Sequence, residues 1–278
     1  MSKTWIAVRF LAFAALVGSA ASVAAEVDAE LAAAVAGPQR SAENRARDQW
    51  RHPAQTLAFF GIRSDMTVVE LSPGGGWYTE ILAPYLREKG KLYAAAYPAD
   101  VQGEDGEYYR KSREAFDAKL AAAPAVYDRV TVTDFMPPSR LDIAPAGSAD
   151  LVLTFRNMHN WITEDRAEVA VMKTAFEALK PGGVLGIVEH RTDKPTTREQ
   201  MYESGYMPES ALIAAAQSAG FELEAKSEIN ANPKDTHAHP EGVWTLPPTL
   251  ALEDKDREKY LAIGESDRIT LRFRKPAQ

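Results

Sequence analysis

The sequence of 278 residues contains no cysteine. This absence excludes a disulfide framework, a lipoprotein attachment and a thiolate metal site, and it suits an oxidising compartment without requiring one. A concentrated basic face is also missing, because basic residues are interspersed with acidic ones, as in the segment 110–114. Nucleic-acid binding, which needs such a face to neutralise phosphates, is therefore not predicted. No glycine-flanked serine resembles a nucleophile elbow, which leaves Ser-His-Asp hydrolysis without support.

After the N-terminus the sequence has no apolar run of the ~20 residues that a membrane span needs. The first 25 residues carry Lys3 and Arg9 in a basic head, an apolar stretch from Phe10 to Val17, and small residues through Ala25. This composition is typical of a secretory signal peptide, and we predict cleavage after Ala25. An uncleaved anchor is the alternative, although the stretch is short. The mature protein is predicted to be periplasmic or secreted, and its formal charge falls from −7 to −9 because Lys3 and Arg9 are removed.

The rest of the chain predicts one domain. Residues 26–40 form an alanine-rich leader segment, residues 41–278 form an α/β domain, and residues 230–266 are a proline-bearing insertion within it. The predicted strands are Thr67–Leu71, Lys91–Tyr97, Val126–Thr131, Ala149–Phe155, Gly183–Glu189, Phe221–Ile229 and Ile269–Phe273. The predicted helices are Ser41–Phe60, as one helix or as two interrupted at Pro53, Trp77–Leu86, Glu107–Ala122, Glu164–Leu179 and Pro208–Ser218.

The most informative segment joins the first of these strands to its helix. An apolar run containing Glu70 is followed by Ser72, Pro73 and three consecutive glycines, Gly74 to Gly76. Glycines adopt positive φ and let a ligand approach the backbone, because they carry no Cβ. A strand, a glycine turn and a helix predict the opening of a doubly wound α/β sheet, in which ligands lie beyond the carboxyl ends of the strands.

Two cofactors compete for this turn. A dinucleotide needs G-x-G-x-x-G, and with Gly74 and Gly76 as the first two glycines, Thr79 occupies the third position, where close helix packing requires glycine. The S-adenosylmethionine pattern is an acid at the end of the first strand followed by G-x-G-x-G. The chain matches that pattern better, through Glu70, Ser72, Gly74 and Gly76, with serine at the first glycine position.

Downstream segments agree with the second pattern. The segment Leu179–His190, with its Leu-Lys-Pro-Gly-Gly start, resembles the turn and fifth strand of class I S-adenosylmethionine-dependent methyltransferases, and Ser148–Phe155 resembles their fourth strand. The resemblance runs from about Asp48 to Pro276. Four shorter segments look like a bacterial group of predicted, often exported, methyltransferases; they are Arg51–Pro53, Gly74–Tyr78, Arg156–Trp161 and Asn232–Asp235.

The resemblance implies a fold and a reaction. The implied fold is a Rossmann-like, seven-stranded, mostly parallel sheet with an antiparallel last strand and an N-terminal helical cover, and it makes the insertion 230–266 a lid over the active site. The implied reaction is methyl transfer from S-adenosylmethionine to an unknown small-molecule or periplasmic acceptor.

The resemblance also assigns the cofactor-binding residues. Glu70 and the turn are expected at the methionine half, since free backbone N–H groups bind a carboxylate. Tyr97 occupies the position of the acid that normally binds the ribose hydroxyls, and its phenol lacks the bidentate acceptance of a carboxylate. The full set is Glu70, Ser72, Pro73, Gly74, Gly75, Gly76, Tyr97, Asp134 for the adenine amino group, Phe135 for stacking on the ring, and Asn157.

His159 and His190 are the candidate catalytic bases, because imidazole titrates near neutral pH and each histidine follows a predicted buried strand. The alternative for His159 is that it packs the next helix. Adjacent strand residues point to opposite faces, so only one of Glu189 and His190 is expected to face the pocket. No metal site is predicted, because the pair His237 and His239 lacks a third ligand at a recognisable spacing.

The sequence therefore predicts a methyltransferase. The alternative, favoured by Tyr97, is a non-catalytic or repurposed ligand-binding protein on the same scaffold, because fold does not determine function.

Overall fold

The computed structural model of the protein describes residues 27–103, 106–163 and 165–277, so the predicted signal peptide lies outside the described residues. The strands are β1 Thr67–Leu71, β2 Lys91–Ala96, β3 Val130–Met136, β4 Arg140–Leu141, β5 Ala149–Phe155, β6 Leu179–Thr192, β7 Met207–Pro208, β8 Glu222–Ser227 and β9 Arg268–Arg274. The helices are α1 Ala29–Ala36, α2 Ala42–Ala46, α3 Asp48–Arg51, α4 Pro53–Phe59, α5 Thr79–Leu86, α6 Gly106–Ala122, α7 Pro124–Tyr127, α8 Met158–Trp161, α9 Ala167–Ala178, α10 Arg198–Ser204, α11 Glu209–Ser218 and α12 Arg257–Ile263, with a 3₁₀ turn over Gly242–Thr245. Of the helices in these ranges, none has the length and apolar character to traverse a bilayer.

The strands form one mixed sheet in the order β4-β3-β2-β1-β5-β6-β9-β8, and β7 pairs with the end of β6. The neighbouring strands β3, β2, β1, β5 and β6 pair in parallel. The short edge strand β4 pairs antiparallel with β3. β9 is inserted antiparallel between β6 and β8. The predicted Rossmann-like sheet with an antiparallel last strand is confirmed. Two further strands of two residues each, β4 and β7, bring the described strands to nine, and they are too short to produce a detectable alternation.

The third long strand lies further along the chain than predicted. The prediction for Val126–Thr131 is wrong at its start, because Pro124 opens the short helix α7, and the strand begins only at Val130, which pairs with Leu92 of β2. Proline is favoured at the first turn of a helix, where its missing N–H costs nothing. Asp134 therefore lies within β3 and not after it.

The central strands are buried on both faces, as expected of a parallel sheet between helices. Val69 and Val152 belong to the core shared with α9 and α11, whereas Val68 and Leu151 belong to the core shared with α1, α4 and α5. α1 is fastened to α5 by a hydrogen bond from the Tyr85 hydroxyl to Asp28 Oδ2, 2.6 Å long. The helices α1 to α4 make up the N-terminal cover of this second face.

Gly186 of β6 allows a close approach between the sheet and the N-terminal cover. A Cβ at this position would lie 2.8 Å from Leu153 Cδ2 and 2.8 Å from the Phe60 ring. We expect Gly186→Ala to lower the free energy of unfolding by about 1–3 kcal/mol, because the extra methyl overpacks a filled core. Equilibrium unfolding in urea, followed by tryptophan fluorescence, measures the change.

The matched control is Gly75→Ala, because a Cβ there would meet no atom within 4 Å. Its free energy of unfolding is expected to stay within about 0.5 kcal/mol of that of the parent protein. Equal unfolding midpoints for Gly186→Ala and the parent protein would contradict this account of the packing at Phe60.

Candidate functional site

The turn after β1 holds an unusual backbone conformation. Ser72 has φ 48°, Gly74 has φ 55° and Gly76 has φ 76°, so a serine takes up a left-handed conformation that favours glycine. Two hydrogen bonds hold the serine: its N–H donates to the Ala95 carbonyl over 2.9 Å, and the Asn157 side-chain amide donates to the Ser72 carbonyl over 3.4 Å. The predicted site residue Asn157 thus supports the turn from the end of β5.

This turn presents polar groups without partners. Within the residues that the structure describes, the N–H groups of Gly74 and Gly75 donate to no acceptor, and the buried Ser72 Oγ has no hydrogen-bond partner. Open space lies where a Cβ would stand on either glycine. Successive free N–H groups in such a turn form a concave site for a carboxylate or another polar group.

The turn lies in a pocket of about 430 Å³ beyond the carboxyl ends of β1, β5 and β6. This volume is in the usual range for a small-molecule site. The other walls come from α2 and α3, from the segment after β5, and from residues 243–249 of the insertion. Eight predicted site residues line the pocket: Glu70, Ser72, Pro73, Gly74, Gly75, Asn157, His159 and His190.

Gly76 and Tyr97 lie outside this lining. A Cβ on Gly76 would stand 3.2 Å from the Phe116 ring, so this glycine serves the packing of α6. Tyr97 follows β2 and packs edge-on against Tyr109, with 4.8 Å between the ring centroids, and against Tyr108. Of these three tyrosines, Tyr108 is the one that reaches the pocket.

Asp134 and Phe135 also lie outside the pocket. The Asp134 carboxylate accepts hydrogen bonds from Arg113 Nη1 over 3.0 Å and from Arg140 Nη1 over 3.4 Å. These ion pairs occupy the oxygens that the sequence assigns to an adenine amino group. Phe135 is fully buried and packs edge-on against Trp161, with 5.5 Å between the ring centroids, so it is a core residue.

Glu70 forms the acidic part of the pocket floor. Its side chain is 2% exposed, and Oε2 accepts a 2.6 Å hydrogen bond from the Thr79 hydroxyl. Burial raises the pKa of Glu70 to about 7, although the Thr79 hydrogen bond and the Lys119 charge oppose the shift. Near neutral pH this carboxyl therefore exists in both protonation states.

His159 is held by a buried carboxylate. Its ring is 4% exposed, and Nδ1 lies 3.1 Å from Glu189 Oε1. Glu189 also accepts the N–H of Met158 over 2.6 Å and that of His190 over 2.8 Å. A carboxylate that accepts from backbone donors at both oxygens requires Nδ1 to be the protonated nitrogen of His159. In the neutral imidazole this leaves Nε2 as the acceptor, which is the arrangement of a general base with an orienting acid.

His190 lines the pocket beside His159, with 5.4 Å between the ring centroids, whereas Glu189 lies behind them and outside the lining. His190 Nδ1 is 2.5 Å from Ser266 Oγ. Burial, with nearby His159 and Arg156, lowers the pKa of His190 well below its usual value, so the ring is neutral at physiological pH.

Ligand atoms of His159, Glu189 and His190 lie within 4.8 Å of one another, a spacing that a metal ion also uses. Both Glu189 oxygens are already engaged by N–H donors, and positive charge from arginines reaches His190. Both features oppose a bound cation at this cluster. His237 and His239 lie apart from the pocket lining and bind separate carboxylates, those of Asp267 and Asp235.

The sequence analysis missed an arginine cluster in the pocket wall. Glu265 is 3% exposed and pairs with Arg47 Nε over 2.6 Å, with Arg51 Nε over 2.9 Å and with Arg268 Nη1 over 3.0 Å. Burial opposes ionisation, but the charges of Arg268 and Arg51 outweigh it and lower the pKa of Glu265 to about 2. The spacing of Arg47 and Arg51, one helical turn apart, is the local signal that was available. Arg156, which follows β5, also lines the pocket.

Comparisons with known proteins support the fold. No protein-family model matches the chain, and no curated protein matches it. The [4+2]-cyclase SpnF is 16% identical, covers 89% of this chain and 93% of its own, and has a TM-score of 0.59. A SAM-dependent methyltransferase from Aquifex aeolicus is 17% identical, with 83% and 93% coverage and a TM-score of 0.53. A SAM-dependent methyltransferase from Methanosarcina mazei is 11% identical, with 78% and 95% coverage and a TM-score of 0.50.

At these identities the likeness establishes architecture and not activity, and one of the three structures is a cyclase. The strand order and the antiparallel last strand agree with that architecture. The chain therefore has the fold of the class I S-adenosylmethionine-dependent methyltransferases.

Proposed function

We propose that the protein is an S-adenosylmethionine-dependent methyltransferase that acts on a small-molecule acceptor. The observation that carries the proposal is the turn at residues 72–76, whose unpaired donors open into a pocket at the carboxyl ends of three parallel strands. Ligands of doubly wound sheets bind at this edge. The fold agrees, since two structures that share it are SAM-dependent methyltransferases.

The donors and acceptors of the pocket fit the cofactor. Its carboxylate suits the free N–H groups of Gly74 and Gly75 and the partnerless Ser72 hydroxyl. Its ammonium group suits Glu70, the buried carboxyl of the floor. The stacked rings of Tyr78 and Phe155, with centroids 3.5 Å apart, give the same pocket an apolar wall that excludes water.

When bound, the cofactor supplies an electrophilic methyl group on a sulfonium. The protein's part is to position the acceptor and to take its proton. His159 accepts that proton at Nε2, because Glu189 holds the opposite ring nitrogen in its protonated form. Neutral His190 lies beside it as a second acceptor. Positioning and general-base catalysis of this kind account for most of the rate enhancement expected of such a site.

A ligand-binding protein without catalytic activity is the second candidate, and Tyr97 favours it. No carboxylate stands at the end of β2, and the Tyr97 ring packs with Tyr108 and Tyr109 instead of lining the pocket. Burial raises the pKa of Tyr97, so its phenol stays protonated and cannot accept two ribose hydroxyls as a carboxylate does. Because this second candidate has the fold but has lost affinity for the cofactor, binding of the cofactor separates the two candidates.

Isothermal titration with S-adenosylmethionine and S-adenosylhomocysteine tests the proposal. We expect micromolar binding of both, and we expect Gly74→Asp to weaken it at least about 100-fold, because a carboxylate placed in the turn repels that of the ligand.

Gly147→Asp is the matched control. Gly147 also has positive φ, 63° against 55° for Gly74, and also has open space at the Cβ position, but it lies before β5 at the opposite edge of the sheet. This variant is expected to bind both ligands like the parent protein. No binding at millimolar ligand would contradict the methyltransferase proposal and favour the second candidate.

Proton release on binding tests the role of Glu70. Its pKa of about 7 means that close to half of the molecules carry the proton at pH 7, and a ligand ammonium beside the carboxylate returns that pKa toward its usual value. We expect S-adenosylmethionine to release about half a proton per site at pH 7, measured by titration in two buffers of different ionisation enthalpy.

Glu70→Gln is expected to bind without this release. The direction of proton exchange follows from the change in the Glu70 pKa on binding. A ligand that favours the charged carboxylate releases protons, and a ligand that favours the neutral carboxyl takes them up. Equal proton release in the parent protein and in Glu70→Gln would place the titrating group elsewhere.

Export is part of the proposal and rests on the composition of residues 1–25. In a Gram-negative host that expresses the full sequence, we expect the mature protein in the periplasmic fraction with Glu26 as its first residue, as determined by mass spectrometry. Replacing Lys3 and Arg9 with glutamate removes the basic head and is expected to retain the protein in the cytoplasm. Periplasmic protein that still begins at Met1 would support the uncleaved anchor.

A further inference from the structure

The pocket wall carries more positive charge than its ion pairs balance. Arg47, Arg51 and Arg268 share one carboxylate, that of Glu265, which is the single acid that ion-pairs with them among the described residues. Arg156 lines the same pocket and makes no ion pair within the described ranges. Three guanidinium groups thus share one carboxylate, and a fourth lines the same pocket without an ion pair to a described residue.

Arg51 has donors left over. Its side chain is 3% exposed, and Nη1 is buried without any hydrogen-bond partner in the part of the chain that the structure describes. The guanidinium carbon lies 4.8 Å from the centroid of the Trp77 ring, so the ring and the Glu265 pair both restrain the group. A buried charged donor without an acceptor costs free energy that a bound anion would recover.

The backbone of Arg156 is held in a fixed conformation. It has φ 61°, and its N–H donates to the Val188 carbonyl over 2.7 Å, which fixes the residue directly after β5. Burial lowers the pKa of Arg156 to about 10, which keeps its side chain charged at physiological pH. Its guanidinium makes no hydrogen bond to another described residue.

These arginines adjoin the candidate bases. Arg51 and Arg156 line the same pocket as His159 and His190, and Ser266, which follows Glu265, lies with its Oγ 2.5 Å from Nδ1 of His190. The free N–H groups of the turn already suit the cofactor's carboxylate. The arginines of the same pocket are therefore left for a second anion, that of the acceptor.

We infer that the methyl acceptor is an anion, and that Arg51 and Arg156 bind its carboxylate or phosphate beside His159. The inference rests on the proposed function. Guanidinium groups bind both oxyanions through paired, charge-assisted hydrogen bonds, which fix the orientation of the bound group as well as its position. An acceptor held in this way at one end presents its nucleophilic atom to the base at the other.

The test uses inorganic phosphate as the probe, titrated calorimetrically into the purified protein saturated with S-adenosylhomocysteine. We expect Arg156→Gln and Arg51→Gln each to weaken phosphate binding about tenfold or more. Arg63→Gln is the matched control, because Arg63 is an exposed arginine paired with Asp65, and it is expected to bind phosphate like the parent protein. Circular dichroism confirms that each variant is folded, and Arg156→Gln carries the test if Arg51→Gln does not fold.

Separate titrations with S-adenosylhomocysteine and with 5′-methylthioadenosine, which lacks the amino-acid group, identify the source of the anion. Equal affinity of Arg156→Gln and the parent protein for S-adenosylhomocysteine supports the inference. A loss confined to S-adenosylhomocysteine would assign the arginines to the cofactor's carboxylate and overturn it, as would equal phosphate binding by all proteins. If the parent protein binds phosphate but not S-adenosylhomocysteine, the proposed function fails and the acceptor assignment with it, while arginine-dependent phosphate binding remains measurable.

Discussion

The ion pairs of the buried Glu265 carboxylate are the interaction on which the arrangement of the pocket wall depends. A buried charge requires compensation, and here it comes from Arg47 and Arg51 of the N-terminal helices and from Arg268 of β9. The ion pairs thereby hold the helical cover against the last strand and beside the turn at residues 72–76. Removing one partner from such a pair typically costs about 3–5 kcal/mol, because the remaining charge stays buried and unpaired. The polar contacts between the helical cover and β9 therefore centre on a single carboxylate.

Two kinds of chemistry meet in the pocket because parallel strands bring their carboxyl ends to one edge of the sheet. β1 supplies a turn whose backbone donors and buried Glu70 suit an amino-acid group. β5 and β6 supply His159 and His190, with Glu189 fixing the protonated nitrogen of the first. The helical cover adds Arg47 and Arg51, and Arg156 follows β5. In the proposed function, backbone groups bind the cofactor, while side chains from distant segments bind the acceptor and take its proton.

Much of the fold could be predicted from local patterns. β1 and β5 begin and end where their apolar runs do, because strands buried on both faces are continuous in hydrophobicity. β3 was misplaced, since a helix-opening proline interrupts its apolar run and the partner strand sets its register. β4 and β7, at two residues each, are defined only by the strands they pair with.

For the site, the sequence alone determined the glycine turn, its carboxyl at Glu70 and the two histidines, because each lies at or shortly after the end of a predicted strand and the fold brings strand ends together. Only the tertiary structure decided which polar residues are free. Asp134 is neutralised by two arginines, and Phe135 is buried against Trp161. The ion pair between Arg47 and Glu265 joins residues 218 positions apart, and no local periodicity encodes such a pairing. Ion pairs and burial depend on contacts between distant segments, and those contacts exist only once the chain has folded.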